Sequence, residues 1–332
     1  MVAKSLIKNE IPIDIVIPWV NGNDSKHKKK INSYLNDKDI ARIPGAYSTR
    51  FASVNEIKYC ILSILKFASF VRNIFIVTDS QNPNVDNYIK NSFPDRLNSI
   101  RIVDHKEIFE GFEQFLPTFN SITISNMMWR IKGLSDNFIC FNDDLFIIRK
   151  IQPNDFFIKA EPVLRGRWNL APYERIIWDK IRSSFLFNSR YIKIPSFQIG
   201  QWNSASILKY KYMYFKASHT PHAINKTILK KFFSSNNNVL ENNLSYKFRN
   251  YEQFTTVSLA NHIEILNGNK NIKKPDAVYI KPVNRQKNYV SKKITLCAKN
   301  KNIKFVCIQS LDLAKREDQE KIFNWMDDIL NL

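Results

Sequence analysis

Four short apolar segments in the first half of the chain predict buried β-strands. Each is four to eight residues long, and the first is rich in β-branched residues. Short apolar runs of this kind suit strands that are covered on both faces. They span residues 13–20, 73–78, 100–103 and 137–142. Because helical patterns separate them, their order predicts an α/β fold, with a mostly parallel central sheet flanked by helices.

Apolar residues at helical spacing predict the elements between and after these strands. The clearest case is residues 53–67, where Ile57, Ile61 and Leu65 share one face and Ser53 with Glu56 forms a capping-box pattern. Weaker patterns predict further helices and two late strands. These helices are expected at residues 120–129, 221–233, 253–266 and 315–330, and the strands at residues 278–280 and 304–308.

Polar residues follow each of the four predicted strands. Since the carboxyl ends of parallel strands meet at one edge of a sheet, and ligands of α/β proteins bind at that edge, these residues predict a site. They are Asn21, Gly22 and Asp24 after the first strand, Asp79 after the second, Asp104 and His105 after the third, and Asn142, Asp143 and Asp144 after the fourth.

The acidic pair Asp143-Asp144 is the sharpest chemical signal in the sequence. Two adjacent carboxylates cannot both enter an apolar core, because a buried unpaired charge is costly. Divalent cations bind carboxylate oxygens and bridge the oxygens of a diphosphate, so the pair predicts a Mg²⁺ or Mn²⁺ site. The alternative is that Asp143 caps a turn and Asp144 pairs with an arginine.

Five residues are weaker candidates. His219 is a candidate general base that precedes a predicted helix beginning with Pro221, where backbone N–H groups can meet a phosphate. Arg249 and Arg50 can each grip a phosphate or be ordinary surface charges. Glu56 is a catalytic candidate that a capping role already explains, and His105 is a ligand or a strand-end cap.

Composition narrows the class of protein. The 50 lysines and arginines exceed the 30 acidic residues by 20, which attracts polyanions of any kind: nucleic acid, anionic lipid or a phosphate-bearing polymer. The basic run at residues 26–30 is interpreted as a solvated helix face. Neither GxGxxG nor GxxxxGK[ST] is present among only 7 glycines, which argues against dinucleotide-binding and P-loop enzymes.

The compartment can also be predicted. The four cysteines form no CxxC pair, and we expect buried free thiols in a reducing compartment. The sequence has neither a bilayer-spanning apolar segment nor a signal-peptide apolar region at its start. A cytoplasmic protein is expected, one whose charge can hold it at the inner face of the plasma membrane.

Taken together, these motifs resemble the Stealth family of bacterial capsular polysaccharide phosphotransferases, which are sugar-1-phosphate transferases related to the animal N-acetylglucosamine-1-phosphotransferase. The resemblance covers most of the chain and depends on the combination of segments. They are IDIVIPWVNGND at 13–24, Arg50-Phe51 with residues 56–59, VRNIFIVTDSQNP at 71–83, IRIVDHKEIF at 100–109, LPTFNS at 116–121, RIKGLSDNFICFNDDLFI at 130–147, SHTPHAINKTIL at 218–229, Phe248-Arg249, and a weak KFVCIQS at 304–310.

The resemblance implies a fold, an activity and partners. The fold is a modified nucleotide-sugar-transferase (GT-A-like) fold, with a nucleotide-sugar-binding core at 1–150 and helices and strands at 216–332 that complete it. The sequence of residues 151–215 is irregular, aromatic and basic, so a helical or irregular insertion, or an acceptor-side subdomain, is expected there. The activity is transfer of a hexose- or N-acetylhexosamine-1-phosphate from a UDP-sugar to an acceptor hydroxyl, with release of UMP and formation of a phosphodiester. The partners are a donor such as UDP-N-acetylhexosamine, a phosphate-containing polysaccharide acceptor and the capsule-assembly machinery, without nucleic acid.

Roles follow as hypotheses. Asp144 with Asp143 holds the cation, Arg249 neutralises phosphate, and His219 accepts the proton of the acceptor hydroxyl. The expected substrate-binding residues are Asn21, Gly22, Asp24, Arg50, Asp79, His105, Asn120, Ser121 and Asn142, with Asn120 and Ser121 lining the sugar pocket.

The sequence also departs from the family pattern. Ile122–Ser125 stands where the family has His-Ala-Ile-Glu, Leu62 where it has arginine, and Gln309-Ser310 where it has Asn-Asp. Three other functions stay open on the residues alone. They are a conventional glycosyltransferase that releases UDP, a nucleic-acid-binding protein, and a basic polyanion-binding protein without catalysis.

Overall fold

The computed structural model describes residues 11–35, 54–184 and 193–332, which form strands and helices in alternation over the first half of the chain. The strands are β1 Ile13–Pro18, β2 Val71–Thr78, β3 Ile100–Asp104, β4 Asn137–Cys140, β5 Leu145–Ile147, β6 Phe157–Ile158, β7 Glu161–Pro162, β8 Leu164–Leu170, β9 Met213–Ala217, β10 His222–Asn225, β11 Ile272–Lys273, β12 Ala277–Ile280 and β13 Phe305–Ile308.

The helices surround these strands. They are α1 Ser25–Asn32, α2 Glu56–Phe67, α3 Asp86–Ser92, α4 His105–Ile108, α5 Ser121–Ser125, α6 Tyr173–Ser184, α7 Phe197–Ile207, α8 Lys226–Ser235, α9 Asn237–Leu244, α10 Thr256–Leu266, α11 Tyr289–Lys299 and α12 Arg316–Leu330. Within the described residues, no helix is both long enough and apolar enough to cross a bilayer.

The central sheet has the strand order β10-β4-β1-β2-β3. Strands β1 to β4 run parallel, and β10 pairs antiparallel with β4. The predicted α/β class with a mostly parallel central sheet is therefore confirmed. Since β1 to β4 point the same way, the residues that follow them lie at one edge, as expected.

Both faces of the sheet are buried, which explains why its strands are continuous apolar runs. Ile15 and Ile17 of β1 contribute to the apolar core that includes α2 and α12, whereas Val16 faces a second core built with α8, α9 and α10. This alternation follows from the two-residue period of a strand. The long predicted terminal helix is confirmed as α12, with Ile322 and Met326 facing inward.

Two smaller sheets position the second half of the chain. Strand β5 begins one residue after the acidic pair and joins β12 and β13, so the loop from Asn142 to Asp144 connects two sheets. Strand β8 pairs antiparallel with β9 and parallel with β11. The segment 151–215, expected to be irregular, therefore contains regular elements, namely β6, β7, β8, α6, α7 and part of β9.

Three local predictions were wrong. Residues 221–233 do not form one helix, because His222–Asn225 pairs with β4 as a strand and the helix begins only at Lys226, capped by Asn225. The helix predicted at 120–129 is the short α5 followed by a 3₁₀ turn, Met128–Arg130. The N-cap of α2 is Asn55, in a left-handed conformation, rather than Ser53, which lies outside the described residues.

Candidate functional site

A cavity of about 470 Å³ opens at the carboxyl ends of β1 and β2, and a smaller cavity of about 170 Å³ shares part of its wall. The larger volume suits a small organic ligand. The larger cavity, here the edge cavity, is lined by Trp19, Asn21, Asp24, Lys26, His27, Lys30, Asp79, Ser80, Gln81, Asn82 and Asn84. The smaller cavity adds Asn55, Ile57 and Pro83.

Gln81 holds the turn after β1 against the end of β2. Its side-chain oxygen accepts a hydrogen bond from the Asn21 backbone N–H at 2.8 Å, and its amide donates to the Asn21 carbonyl at 3.0 Å. The Asn21 side chain in turn accepts from the backbone N–H of Asn23 at 2.9 Å. The turn that contains Gly22 is therefore fixed at the cavity rim.

The carboxylates in this cavity are engaged by neighbouring groups. Asp24 caps α1 by accepting from the backbone N–H of His27 at 2.7 Å, and this bond lowers the pKa of Asp24. Asp79 accepts from Lys30 Nζ at 2.6 Å. Burial lowers the pKa of His27 against the opposing charges of Asp79 and Asp24.

The end of β3 adds a second histidine just behind the cavity wall. His105 is buried, and desolvation lowers its pKa to about 4 against the opposing charges of Asp79 and Asp104. It is therefore neutral at pH 7. Asp104 accepts from the backbone N–H and hydroxyl of Ser80 and from the backbone N–H of Lys106, which lowers its pKa although burial opposes this.

The acidic pair lies at the carboxyl end of β4, beside Glu56 at the start of α2. Burial raises the pKa of Asp144 to about 6, and the negative charge of Glu56 adds to this. Burial likewise raises the pKa of Asp143 well above its usual value, with contributions from Asp144 and Glu56. Glu56 itself accepts from the backbone N–H of Val54 at 2.7 Å. We name these three residues the acidic edge.

One oxygen of the acidic edge lacks a protein partner among the described residues. Oδ1 of Asp144 is buried without a hydrogen bond, whereas Oδ2 lies 3.6 Å from the thiol of Cys307. A buried carboxylate oxygen with no donor is unfavourable unless a cation or another ligand meets it. Elsewhere in the described chain, no group of three or more His, Cys, Asp and Glu side chains is arranged to hold a metal ion, and the acidic edge does not form one by itself.

Two buried thiols support the acidic loop. Cys60 Sγ lies 3.6 Å from the carbonyl oxygen of Asn142, and Cys307 reaches Asp144 from β13. Burial raises the pKa of both thiols, and the acidic pair raises it further, so both stay protonated and can donate. All four cysteines are free and buried, as predicted. The Asn142 side chain itself is exposed.

His219 lies near the acidic edge through one intervening ring. Its imidazole stacks between Phe197, at 4.9 Å between ring centroids, and Tyr279, at 5.5 Å. Burial raises the pKa of Tyr279, and the nearby Cys307 and Asp144 raise it further. Desolvation between the two rings, together with Lys216, lowers the pKa of His219 while its edge stays exposed.

Arg249 lies on the other side of the site, toward α1. Its Nη2 donates to the Ser121 hydroxyl at 2.6 Å, and the neighbouring Phe248 stacks on Phe119 at 5.4 Å. Phe119 also contacts His27. Arg249 and Ser121 are therefore linked to the edge cavity through Phe248, Phe119 and His27.

Asn120 has a different environment from Ser121. It is fully buried, caps α5, and donates both to the Tyr246 carbonyl and to the Gln253 side chain. Its amide therefore links the start of α5 to Tyr246 and Gln253 inside the protein.

Arg50 lies outside the described residues.

The structure adds site residues that the sequence did not single out. Lys26 and Lys30 belong to the basic run that was interpreted as a solvated face, yet they line the edge cavity. Gln81 and Tyr279 were also missed, although Gln81 falls inside the motif at 71–83. The usable signal was the position of the basic run directly after the first strand-end turn.

Comparison with known proteins gives this geometry a family. Residues 12–39 match conserved region 1 of Stealth proteins, and residues 50–163 match conserved region 2. These two segments supply β1 to β5, the edge cavity and the acidic edge. Over these two segments the chain is similar to Stealth proteins.

Curated relatives match the same part of the chain. The capsular polysaccharide phosphotransferase LcbA of Aeromonas hydrophila is 37% identical over 157 residues, which is 46% of this chain and 41% of that protein. The capsular polysaccharide phosphotransferase fcs1 of Haemophilus influenzae is 39% identical over 153 residues, or 46% and 40%. The capsular polysaccharide phosphotransferase of Neisseria meningitidis serogroup B is 37% identical over 160 residues, or 46% and 40%. The match thus spans about two fifths of each of these relatives.

Solved structures of glycosyltransferases resemble the chain over nearly its full length. The galactosyltransferase LgtC, in complex with donor and acceptor sugar analogues, gives a TM-score of 0.44 at 9% identity, covering 96% of this chain and 95% of that one. Mouse xyloside xylosyltransferase 1 gives 0.40 at 10% identity, covering 90% and 97%.

Proposed function

We propose that this protein transfers a sugar-1-phosphate from a UDP-sugar to an acceptor hydroxyl in capsule or exopolysaccharide synthesis. The observation that carries the proposal is that both family-matched segments converge on one sheet edge. There the smaller cavity beside the edge cavity is lined by Asn55 and Ile57, the chain neighbours of Glu56, and Glu56 lies close enough to Asp143 and Asp144 to raise their pKa values. Phosphotransferase relatives that are 37–39% identical over these segments support the reaction type.

The donor nucleotide is assigned to the edge cavity. Lys26 and Lys30 supply positive charge for phosphates, and Asn21, Gly22 and Asp24 form the fixed rim. Asp79 orients Lys30, and the buried His105 lies close enough to Asp79 to feel its charge. Asn120 is left out of the donor set because both of its hydrogen-bonding ends are used inside the protein.

The acidic edge fits a hard divalent cation. Its donors are carboxylate oxygens, one of them buried without a hydrogen-bond partner in the described part of the chain. Mg²⁺ commonly takes one or two carboxylates and completes its shell with substrate phosphates. Asp143 and Asp144 would hold Mg²⁺ or Mn²⁺, which would neutralise charge on the donor diphosphate. Glu56 keeps the site electronegative, and the thiol of Cys307 orients Asp144.

The reacting groups are assigned as follows. The acceptor oxygen attacks the phosphorus that bears the donor sugar, the anhydride bond to the other phosphorus breaks, and UMP leaves. His219 takes the hydroxyl proton, and its lowered pKa keeps the imidazole neutral and able to accept it at pH 7. Arg249, placed by Ser121, stabilises the negative phosphate oxygens, and Asn142 contacts the donor from the loop.

The experiment that tests the proposal identifies the released nucleotide. The purified full chain is incubated with a panel of UDP-sugars, Mg²⁺ or Mn²⁺ and phosphate-linked oligosaccharide primers. UMP released together with a new phosphodiester signal supports the proposal and names the donor. Release of UDP would make the protein a conventional glycosyltransferase. Primer binding without release of any nucleotide from the panel would favour a non-catalytic polymer-binding protein.

A further inference from the structure

Helix α6 presents a face of large apolar side chains to solvent. Tyr173, Ile177, Trp178 and Ile181 are respectively 46%, 54%, 60% and 39% exposed. At 100° per residue these four side chains fall within one sector of about 140°, opposite the buried Asp179. The exposed Glu174 in the first turn and Ser184 at the end of the helix lie in the same sector. A helix that packs only on its own protein core would bury such a sector.

The apolar surface continues onto the end of the β8–β9 hairpin. Leu170 and Met213 are register partners there and are 75% and 42% exposed, and the adjacent Tyr212 is 76% exposed. The Tyr173 hydroxyl donates to the Lys211 carbonyl, which joins α6 to this hairpin end. We name this combined surface the α6 face.

Basic side chains surround the α6 face. Lys180 and Arg182 are exposed on α6, and Lys209 and Lys211 are exposed beside the hairpin end. Within the described residues of α6, the acidic side chains are Glu174, which is exposed, and Asp179, which is buried and 3.7 Å from Arg175. The rim is therefore positively charged, in a chain with a formal charge of +20.

We propose that the α6 face is the surface by which this protein lies on an anionic membrane. A helix with tryptophan, tyrosine and isoleucine on one side and basic residues around them is typical of helices that lie in the plane of a bilayer interface. Lysine and arginine stems can extend from the apolar region toward lipid phosphates. A two-fold contact with a second copy would instead bring like basic residues together.

The location of the α6 face relates it to the site. Phe197, which stacks on His219, is itself 39% exposed, and Ile194, whose carbonyl accepts from Arg175 of α6, is 62% exposed. The membrane-facing surface thus borders the proposed base. The inference goes beyond the proposed function, and its test needs no donor, acceptor or turnover, so the two can fail separately.

The test is co-sedimentation of the full chain with vesicles of phosphatidylcholine, with or without one-third phosphatidylglycerol. We expect binding to the anionic vesicles that weakens with added salt. The double variant Ile177→Ser/Trp178→Ser should lose at least tenfold in affinity, since it removes two exposed apolar anchors. The matched control is Leu296→Ser/Leu313→Ser, which removes two exposed apolar residues outside this face and should bind like the wild type.

A charge variant tests whether the basic rim contacts lipid headgroups. Lys180→Gln/Arg182→Gln should weaken binding to anionic vesicles by about fivefold for each residue and leave binding to neutral vesicles unchanged. Circular dichroism confirms that each variant is folded. The proposal is overturned if the wild type binds neither vesicle type, or if Ile177→Ser/Trp178→Ser binds as well as the control variant. It is also overturned if the wild type forms a dimer that Ile177→Ser/Trp178→Ser, and not the control, loses.

Discussion

The carboxylates at the two ends of this sheet edge differ in their hydrogen-bond partners and in their pKa values. Around the edge cavity, Asp24 and Asp104 accept hydrogen bonds from backbone N–H groups and have lowered pKa values, and Asp79 is paired with Lys30. At the acidic edge, Asp143 and Asp144 have raised pKa values, and one oxygen of Asp144 has no donor among the residues that the structure describes. Carboxylates that neighbouring groups already satisfy stabilise the fold, whereas unsatisfied ones are available to a ligand.

The largest expected effect comes from Asp144→Asn. Removing a proposed cation ligand should lower turnover by about 10³-fold, because the charge of the transferred phosphoryl group is no longer neutralised. Stability should not fall, since the substitution removes a partly buried charge. The rate of nucleotide release and the thermal midpoint measure the two quantities. Asp328→Asn, on the exposed side of α12, is the matched control. An Asp144→Asn enzyme that keeps full turnover would remove the acidic edge from the reaction.

The next effect concerns the proposed base. His219→Ala should lower turnover by about 10²-fold through loss of proton transfer. With saturating Mn²⁺, the wild-type rate should fall as pH drops below the pKa of His219, which lies under its ordinary value, because the protonated imidazole cannot accept a proton. The variant should lose this acid limb. If the limb persists in His219→Ala, another residue is the base.

A smaller effect concerns the pH dependence of cation binding. Since the pKa of Asp144 is raised to about 6, the carboxyl is mostly ionised at pH 7 and mostly protonated at pH 5, and a cation must displace that proton. Affinity for Mn²⁺ should therefore fall by about tenfold or more from pH 7 to pH 5. Mn²⁺ titration followed by electron paramagnetic resonance measures it. Affinity that does not change over this range would contradict an Asp144 ligand.

The smallest effect concerns Asp24, one of the hydrogen-bonded carboxylates of the edge cavity. Asp24→Ala removes the cap of α1 and should lower the thermal midpoint by a few degrees. It should also raise the KM for the donor and leave kcat nearly unchanged. Asp24→Ser keeps a capping oxygen and should restore the midpoint. Thermal unfolding and steady-state kinetics separate the two effects. A kcat loss as large as that of Asp144→Asn would erase the distinction between the two regions.

The strand-end clusters could be predicted because apolar runs fix the strands and parallel order fixes their shared edge. The positions of Asn21, Asp79, His105 and Asp144 at that edge were predicted in this way. The strand His222–Asn225 could not, since its antiparallel pairing with β4 depends on residues about eighty positions away.

The rest of the site depends on side-chain contacts that no local pattern encodes. The thiol of Cys307 reaches Asp144 from a strand 163 residues along the chain, and the rings of Phe197 and Tyr279 enclose His219 from two separate elements. Asn120 shows the opposite case, because a matched motif residue proved to be an internal hydrogen-bond centre.

The central claim is that the donor phosphorus moves with the sugar. The most direct measurement uses the active UDP-sugar labelled with ³²P in the phosphate next to the sugar, and follows the label after one round of transfer. We predict that the label enters the acceptor as a phosphodiester, that the released UMP is unlabelled, and that Asp144→Asn transfers none. Label recovered in UDP, with none in the acceptor, would contradict the account.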